Sequence, residues 1–527
     1  MRIIPFLFVL AVLQLHAADV LLQTAPVQTA AGPVIGEING DVRVFRGIPY
    51  AKPPVGDLRW TQTQPPAPWT APRVCVKFSP VCPQPTVPLY GDLGPSSEDC
   101  LYLNVWSAAK VGAEGKFENE KRPVLFWIHG GGFGIGAASQ RWYDGSHLAL
   151  DGAIIVSCNY RLGPFGFMAH PVFSWGDPRG AGNYGLRDMA QALIWTHDNI
   201  AHFGGDPDNI TVWGESAGAA AVDALLVSRA NTFFPFQRAI IMSTNTIAQQ
   251  RYYDKPNSKI ENAAIIAAEI QSRLAPCGPN LLAELRAKSA AEILKAARPG
   301  SAIPGVSTTD NLIVDGFMLT EPIADEIKAG NMLHIPLMIG NVADEGSMFE
   351  RKLKFDSVAK YKEFLTQRFG AKAEQAFAIY PAATDADVRS AMTELFSDIF
   401  IRSTNMHAYA FLKPDIFVYH FTRKAKPMLD SGWGVYHGSE VPYFFGTVDD
   451  KEKYTDEDRE LSRLIRIYIL AFAKSGNPNA SLTPRAPDWP AFKPGEERHI
   501  VLDTPISTGE KLHAKTLDAL QKLDGNP

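Results

Sequence analysis

One pentapeptide combines a nucleophilic side chain with the glycines that a sharp turn requires. Ser216 lies at the centre of the sequence Gly-Glu-Ser-Ala-Gly, which begins at Gly214. An apolar, β-branched stretch at 210–213 precedes it, and an alanine-rich stretch at 219–226 that favours a helix follows it. Glycines two positions before and after a serine permit a strand–turn–helix elbow that exposes the hydroxyl. The sequence therefore predicts that Ser216 is a nucleophile.

A serine hydroxyl is a weak nucleophile and needs a hydrogen-bonded histidine that a carboxylate orients. In enzymes with this elbow, the acid and then the histidine follow the serine along the chain. His437 lies in a glycine-flanked segment after a strand-like stretch, where catalytic loops are typical. Asp344 and Glu345 follow another such stretch. The residues alone do not decide between these two neighbours, and Glu440 is a third candidate.

A second glycine cluster is suited to stabilising the negative charge that develops during acyl transfer. Three glycines and Phe133 follow His129, after an apolar stretch at 124–128. Glycine backbones can turn several N–H groups towards one point, as a developing oxyanion requires. The segment 132–137 also fits the GxGxxG/A fingerprint of dinucleotide-binding proteins, but no acidic residue ends the next strand-like stretch to hold a ribose. The oxyanion interpretation is therefore favoured.

Strands and helices that alternate along the chain must hold these residues. Short apolar, β-branched stretches predict buried strands at 124–128, 153–157, 210–213, 239–242, 335–339 and 416–421. Apolar residues at three- and four-residue spacing predict a helix at 185–199. This alternation is typical of an α/β protein with a mostly parallel central sheet and helices on both faces. Together with the serine elbow, this architecture predicts the α/β-hydrolase fold with long loop insertions.

Length and composition describe an ordinary globular protein. The chain has 527 residues and a formal net charge of −5, which does not favour nucleic acid as a partner. Residues 1–18 combine an early arginine, an apolar run and small residues, which predicts a signal peptide and a secreted or periplasmic protein. The apolar run is too short to span a bilayer comfortably. We therefore expect a single domain at 19–527 without stable membrane insertion; nothing in the sequence indicates an oligomeric state.

Together the motifs resemble the type B carboxylesterase family, which includes cholinesterases and para-nitrobenzyl-type esterases. Besides the elbow and the glycine cluster, the resemblance covers 45–51, 97–104, 159–162, 182–186, 203–207, 344–346, 437–440 and 472–479. It implies a serine esterase that forms an acyl-enzyme on a small-molecule ester and uses no cofactor or metal. A catalytically idle adhesion protein is an alternative that the intact triad disfavours, and a lipase or an amidase of the same fold is another.

The resemblance also assigns the catalytic roles. It implies a triad of Ser216, Glu345 and His437, and so selects Glu345 over Asp344. The implied oxyanion donors are the backbone N–H groups of Gly131, Gly132 and Ala217.

Further residues around the triad follow from the same resemblance. Ser243 corresponds to a buried serine beside the family's triad, although Thr244 stands where a glycine is usual. Tyr90 occupies the position of a cholinesterase tryptophan, and tyrosine binds cations more weakly, so we expect neutral esters to be preferred to choline esters. Glu215 either tunes the charge of the site or has a structural role. Four aromatic residues either line an acyl pocket or belong to the core: Phe133, Phe203, Phe317 and Phe400.

Five cysteines are too few for a disulfide scaffold, and no CxxC pair suggests a zinc site. In exported members of the family, the cysteines that correspond to Cys82 and Cys100 form a disulfide. With the predicted signal peptide, the resemblance implies the same bond here, with Cys75 as the competing partner. Cys158, inside an apolar stretch, is expected to be buried.

Overall fold

The structure is a computed structural model of the chain. It describes residues 22–108, 121–174, 180–230, 233–246, 250–255, 261–297, 311–349, 355–410, 415–480 and 486–524. The predicted signal peptide at 1–18 lies outside the described residues. Within these ranges, none of the helices has the length and apolar character needed to cross a bilayer.

Most of the strands belong to one large mixed sheet. In chain order the strands are β1 (Leu22–Gln23), β2 (Val27–Gln28), β3 (Pro33–Ile35), β4 (Glu37–Asn39), β5 (Val42–Pro49), β6 (Arg73–Val74), β7 (Tyr102–Ala108), β8 (Arg122–Ile128), β9 (Ile154–Cys158), β10 (Gly205–Glu215), β11 (Arg238–Met242), β12 (Arg251–Tyr252), β13 (Ile313–Val314), β14 (Leu337–Val342), β15 (Ile416–Phe421), β16 (Arg498–Leu502) and β17 (Ser507–Glu510). Twelve of them form the sheet β1-β4-β5-β7-β9-β8-β10-β11-β14-β15-β16-β17. Neighbours from β9 to β16 are parallel, and antiparallel strands complete both edges.

The six predicted strands form the parallel centre of this sheet, which confirms the predicted fold class. The strand at 416–421 has the predicted bounds. The largest difference is β10, which begins at Gly205 rather than at 210. Its pairing with β8 shifts register between Gly205 and Ile210, and the polar residues in between resemble a turn in the sequence.

Helices connect and cover the strands. They are α1 (Ser146–Leu150), α2 (Gly163–Phe167), α3 (Tyr184–Asn199), α4 (Ala217–Val227), α5 (Ala263–Leu274), α6 (Leu281–Arg286), α7 (Ala290–Ala297), α8 (Ile323–Ala329), α9 (Val358–Phe369), α10 (Ala373–Ile379), α11 (Val388–Ala410), α12 (Lys426–Ser431), α13 (Val441–Phe445), α14 (Asp456–Ser475) and α15 (Ala514–Asp524). The predicted helix at 185–199 is α3.

Local sequence fixes both ends of α14. The Thr455 hydroxyl accepts the N–H of Asp458, and the Asp458 carboxylate accepts the N–H of Thr455 at 2.8 Å. This capping box satisfies N–H groups that lack intrahelical acceptors. Gly476 ends the helix with φ +79°, a conformation that favours glycine.

The central strands are buried on both faces. Along β8, Val124, Phe126 and Ile128 belong to one apolar core, whereas Leu125 and Trp127 belong to the other. Successive side chains of a strand point to opposite faces, so a strand covered on both sides needs a continuous apolar sequence. Residues of α3 and α4 complete the first core, and residues of α14 complete the second.

The predicted disulfide is not present in the structure. All five cysteines are free thiols, and Cys75, Cys82, Cys100 and Cys158 are buried. Cys82 and Cys100 are nevertheless in hydrogen-bond contact, which together with burial raises the pKa of Cys100. The backbone N–H of Leu162 also donates to the Cys82 sulfur at 3.1 Å. The expected burial of Cys158 is confirmed.

Candidate active site

Ser216 occupies the turn between β10 and α4 in a conformation that few side chains adopt. Its φ is +58° and its ψ is −122°. Backbone hydrogen bonds fix the turn: the Ser216 N–H donates to Met242 O, and the Ser216 carbonyl accepts the N–H of Ala220, both at 2.9 Å. A Cβ at Gly218 would lie 2.1 Å from Ile128 O, so this position needs glycine. The elbow is therefore the strained strand–turn–helix that the pentapeptide predicts.

Ser216 lies in the wall of a cavity of about 450 Å³. Of the predicted site residues, the cavity wall contains Ser216, His437, Gly131, Gly132 and Ala217. Glu345 is fully buried behind the wall.

Glu345, and not Asp344, reaches His437. The Oε2 atom of Glu345 lies 2.5 Å from His437 Nδ1, and its Oε1 atom accepts the Val342 N–H at 3.0 Å. The Asp344 carboxylate instead accepts the N–H of Val435 at 2.8 Å. Two neighbouring acids thus have separate partners, which the residue types alone did not reveal.

The other side of the imidazole is not engaged in a hydrogen bond. His437 Nε2 lies 3.1 Å from Glu215 Oε1, but the two atoms are not aligned as donor and acceptor. The rings of Phe349 and Phe400 each lie 5.1 Å from the imidazole and hold its plane. The Nε2 atom is therefore available to a group in the cavity.

Three buried carboxyl groups determine the charge of the site. Burial disfavours the imidazolium, but Glu215 and Glu345 outweigh it and raise the pKa of His437 to about 9. Burial, with the charge of Glu345, raises the pKa of Glu215 to about 7. Burial also raises the pKa of Glu440 well above its ordinary value. A proton in this cluster is accordingly shared among neighbours, and each carboxylate stabilises a positively charged His437.

Ser243 connects the cavity wall to Glu440. Its hydroxyl donates to Glu440 Oε1 at 3.2 Å, and the residue is fully buried with φ +55°. Thr244 uses the hydroxyl that a glycine would lack, because it donates to Asp223 Oδ2 at 2.7 Å. Ser243 is thus the buried serine that the resemblance indicated, bonded to Glu440.

The glycine loop turns tightly beside Ser216. Gly131 has φ +111° and Gly132 has φ +61°, and the Gly131 carbonyl is turned back to accept the N–H groups of Gly134 and Ile135. A Cβ on Gly130 would come within 3.1 Å of Ser216 Cβ, so glycine allows this close approach. The helix that a dinucleotide fingerprint requires does not follow the loop, because α1 begins only at Ser146.

His129 has a structural role in this loop. Its ring stacks on Tyr160 at 4.4 Å, and the Tyr160 hydroxyl donates to the His129 carbonyl at 2.8 Å. Burial lowers the pKa of His129 to about 4, so the ring is neutral at neutral pH. His129 therefore supports the loop and is not placed as a base.

The four candidate pocket aromatics separate into three environments. Phe133 and Phe400 line the cavity. Phe203 packs edge-on against Phe45 in the core at 4.9 Å, and Phe317 is 39% exposed. Sequence reasoning missed Phe349, which lines the cavity and stacks on Phe400 at 5.6 Å. Residue type carries no signal that distinguishes these positions.

Helix α11 supports both the base and the acid. Its Phe400 packs on His437, and its Thr404 hydroxyl donates to Asn341 Oδ1 at 2.5 Å. Asn341 in turn donates weakly to Glu345 Oε1 at 3.5 Å. Sequence reasoning did not identify this supporting helix.

A group of side chains that could ligate a metal ion is absent from the described residues. The fold and the cavity define an α/β-hydrolase. A sequence model described as the Carboxylesterase family matches residues 23–520, and the chain belongs to that family.

Relatives cover most of the chain. Fumonisin B1 esterase of Sphingopyxis macrogoltabida is 37% identical over 80% of this chain and 74% of that protein. Para-nitrobenzyl esterase of Bacillus subtilis is 34% identical over 91% of this chain and 95% of its own length. A solved PNB esterase structure has a TM-score of 0.78 with 32% identity, covering 94% of this chain and 99% of that one. The protein is a carboxylic ester hydrolase.

Proposed function

We propose that the protein hydrolyses carboxylic esters through an acyl-enzyme on Ser216, with His437 as base and Glu345 as the acid that orients it. The observation that carries this proposal is the 2.5 Å contact of the buried Glu345 with His437, which lines the same cavity as Ser216. A carboxylate on Nδ1 fixes the imidazole tautomer and leaves Nε2 for the nucleophile.

Each covalent step then has a proton acceptor and donor. Ser216 Oγ attacks the ester carbonyl carbon, and its proton passes to His437 Nε2. The tetrahedral intermediate collapses, His437 protonates the leaving alcohol, and the acyl group remains on Ser216. Water attacks the acyl carbon while His437 takes one of its protons. The second tetrahedral intermediate then collapses and releases the carboxylic acid, and His437 returns the proton to Ser216 Oγ.

The proposed oxyanion donors are the N–H groups of Gly131, Gly132 and Ala217. Ala217 is the first residue of α4, where a backbone N–H has no intrahelical acceptor and the helix dipole favours negative charge. The positive φ angles of the two glycines and the inward Gly131 carbonyl support this role. Donors held in place before the reaction are worth more than donors that must reorient.

Covalent labelling tests the assignment of Ser216. A fluorophosphonate should modify Ser216, and Ser216→Ala should abolish labelling and lower kcat/KM for a short-chain aryl ester by several orders of magnitude. Ser439 lines the same cavity, so Ser439→Ala is the matched control and should still be labelled. An adduct on Ser439, or turnover that survives Ser216→Ala, would contradict the proposal.

The family and the names of its relatives support a proposal for the substrate class. The names of the relatives refer to fumonisin B1 and to para-nitrobenzyl esters. We propose that this protein likewise takes small-molecule esters in preference to triglycerides and amides. A panel of aryl esters, triglycerides and amides measures this directly, and faster hydrolysis of a triglyceride or an amide would contradict it.

We also propose that the protein is exported after cleavage of residues 1–18 and that Cys82 and Cys100 then form a disulfide. Their contact in the structure means that oxidation needs little movement. A disulfide that closes the loop from Cys82 to Cys100 should raise the free energy of unfolding by about 3 kcal/mol, because it lowers the conformational entropy of the unfolded chain. N-terminal sequencing and non-reducing peptide mapping of exported protein test both statements. A retained leader, free thiols at both residues, or a Cys75–Cys100 peptide would contradict them.

A further inference from the structure

Arg141 is the only lysine or arginine among the described residues that line the cavity. It begins a short turn, Arg141–Tyr143, that follows the glycine loop. The residue is exposed to solvent, so it stands where the cavity opens. A substrate that enters the cavity therefore passes a fixed positive charge.

No carboxylate of the described residues forms an ion pair with Arg141. Asp450 is close enough for the Arg141 charge to lower its pKa. Its carboxylate, however, is already paired with Lys453 at 2.6 Å. The guanidinium thus retains donors for a ligand, and a planar guanidinium suits a carboxylate because it can donate two parallel hydrogen bonds.

The positive charge of Arg141 lies against the ring of Trp142, which also lines the cavity. The guanidinium carbon lies 5.9 Å from the centre of the Trp142 ring, and Trp142 is 6.1 Å from Tyr90. Such a pair of rings would otherwise suit a quaternary ammonium group. With Arg141 in place, a cationic substrate is repelled and an anionic one is attracted.

Tyr454 provides a second donor in the same cavity wall. It lines the cavity, and burial raises its pKa to about 12 while the Arg141 charge offsets part of that rise. Its hydroxyl is therefore protonated at neutral pH and able to donate. The carboxyl groups of Glu215, Glu345 and Glu440 lie deeper, around His437, so an anionic group is favoured at the rim rather than beside Ser216.

We infer that Arg141 and Tyr454 form a carboxylate-binding subsite, and that the preferred esters carry a carboxylate remote from the scissile bond. The inference rests on the proposed ester hydrolysis at Ser216. Because Arg141 is partly in water, its contribution is modest, about tenfold in kcat/KM.

Two isosteric substrate pairs test the subsite. One compares the mono-4-nitrophenyl ester of glutaric acid with its carbamoyl analogue, and the other compares 4-carboxyphenyl acetate with 4-carbamoylphenyl acetate. The readout is the ratio of kcat/KM for the anionic ester to that for the neutral ester in the same protein. Comparing this ratio between variants cancels the intrinsic reactivity of each ester.

Arg141→Gln should lower the ratio about tenfold for at least one pair, and Arg141→Lys should lower it less. The preference of the wild type should weaken with added salt. Lys426→Gln is the matched control, because Lys426 lies beside the lining residue Pro427 but pairs with Asp430 outside the cavity, and its ratio should equal that of the wild type. Melting temperatures confirm that each variant is folded.

An unchanged ratio in Arg141→Gln for both pairs overturns the subsite, even though the neutral esters are hydrolysed. A ratio that falls equally in Lys426→Gln also overturns it, because the effect is then one of general surface charge. If the wild type hydrolyses none of these esters, the proposed function itself fails.

Discussion

Within the part of the chain that the structure describes, two histidines are buried against a fully buried carboxylate, and only one of them has the setting of a catalytic base. His437 faces Glu345 at 2.5 Å, and His407 of α11 faces Asp223 of α4 at 2.8 Å. Both carboxylates and His407 are fully buried, and His437 is 6% exposed. Distance and burial alone therefore do not distinguish the pairs.

The difference lies in the second nitrogen of each ring. His407 Nδ1 donates to Ser403 O at 2.7 Å, so both ring nitrogens of His407 have acceptors. Neither His407 nor Asp223 lines the cavity. Burial disfavours the imidazolium of His407, but the Asp223 charge outweighs burial and raises the pKa of His407. His437 keeps Nε2 without a hydrogen bond in the cavity wall. A ring nitrogen without a hydrogen bond, in the wall of the cavity that also contains Ser216, therefore identifies a candidate base better than an acid–histidine contact does.

The comparison is tested most strongly by removing each histidine. His437→Ala should lower kcat/KM of the folded protein about 10⁴-fold, and it should also lower the free energy of unfolding, because the buried Glu345 loses its partner. His407→Ala should leave kcat/KM of the folded protein within about tenfold, but lower the free energy of unfolding by about 3–5 kcal/mol, because Asp223 loses its partner. Ester kinetics and urea unfolding measure both. The comparison fails if His407→Ala is the variant that loses turnover.

Replacing the carboxylate that contacts His437 by an amide should lower turnover less than removing His437 does. Glu345→Gln should lower kcat by about 10³-fold or more, since the amide no longer stabilises the imidazolium. Asp344→Asn, at the neighbouring position, is the control and should cost far less. Equal losses in the two variants would mean that the contact with His437 does not define the acid.

A substitution at Glu215 can shift the pKa of His437 without removing this base. Its carboxylate helps to raise the pKa of His437, so Glu215→Gln should lower that pKa. A base must be neutral to accept a proton, and the acidic limb of kcat/KM should therefore move to lower pH. Ser439→Ala, which removes no charge, should leave the limb in place. A limb that moves to higher pH in Glu215→Gln would contradict this assignment of the charges.

A third histidine shows what burial does without a carboxylate. Burial, together with His499 and His513, lowers the pKa of His420 to about 3. The unfolded chain then binds a proton below its pKa of 6.5 while the folded protein does not, so stability falls as the pH falls from 6.5 towards 3. At about pH 5 the loss from His420 is roughly 2 kcal/mol.

His420→Asn should remove that part of the acid sensitivity. Urea unfolding at several pH values measures it, with His197→Asn, at a half-buried position on α3, as control. If the two variants lose stability equally on acidification, the pKa of His420 is not depressed.

Local patterns predicted the parallel centre of the sheet and the elbow, because strand periodicity and paired glycines are encoded in adjacent residues. The choice of Glu345 over Asp344 required the family resemblance, since both acids follow the same strand. Contacts between distant parts of the chain left no local signal. Phe349 lines the cavity and Phe317 is exposed, yet both are phenylalanines outside the strands and the helix that the sequence predicts. The pairing of Asp223 with His407, 184 positions apart, could likewise not be predicted from the neighbouring residues.

Helix α11 joins the two regions compared above. Phe400 packs on His437, and His407 holds Asp223, seven residues and about 10 Å further along the same side of the helix. A smaller residue at 400 would widen the cavity beside His437. One helix thus carries both a wall of the cavity and the partner of a buried acid, so a substitution that moved this helix would affect substrate binding and stability together.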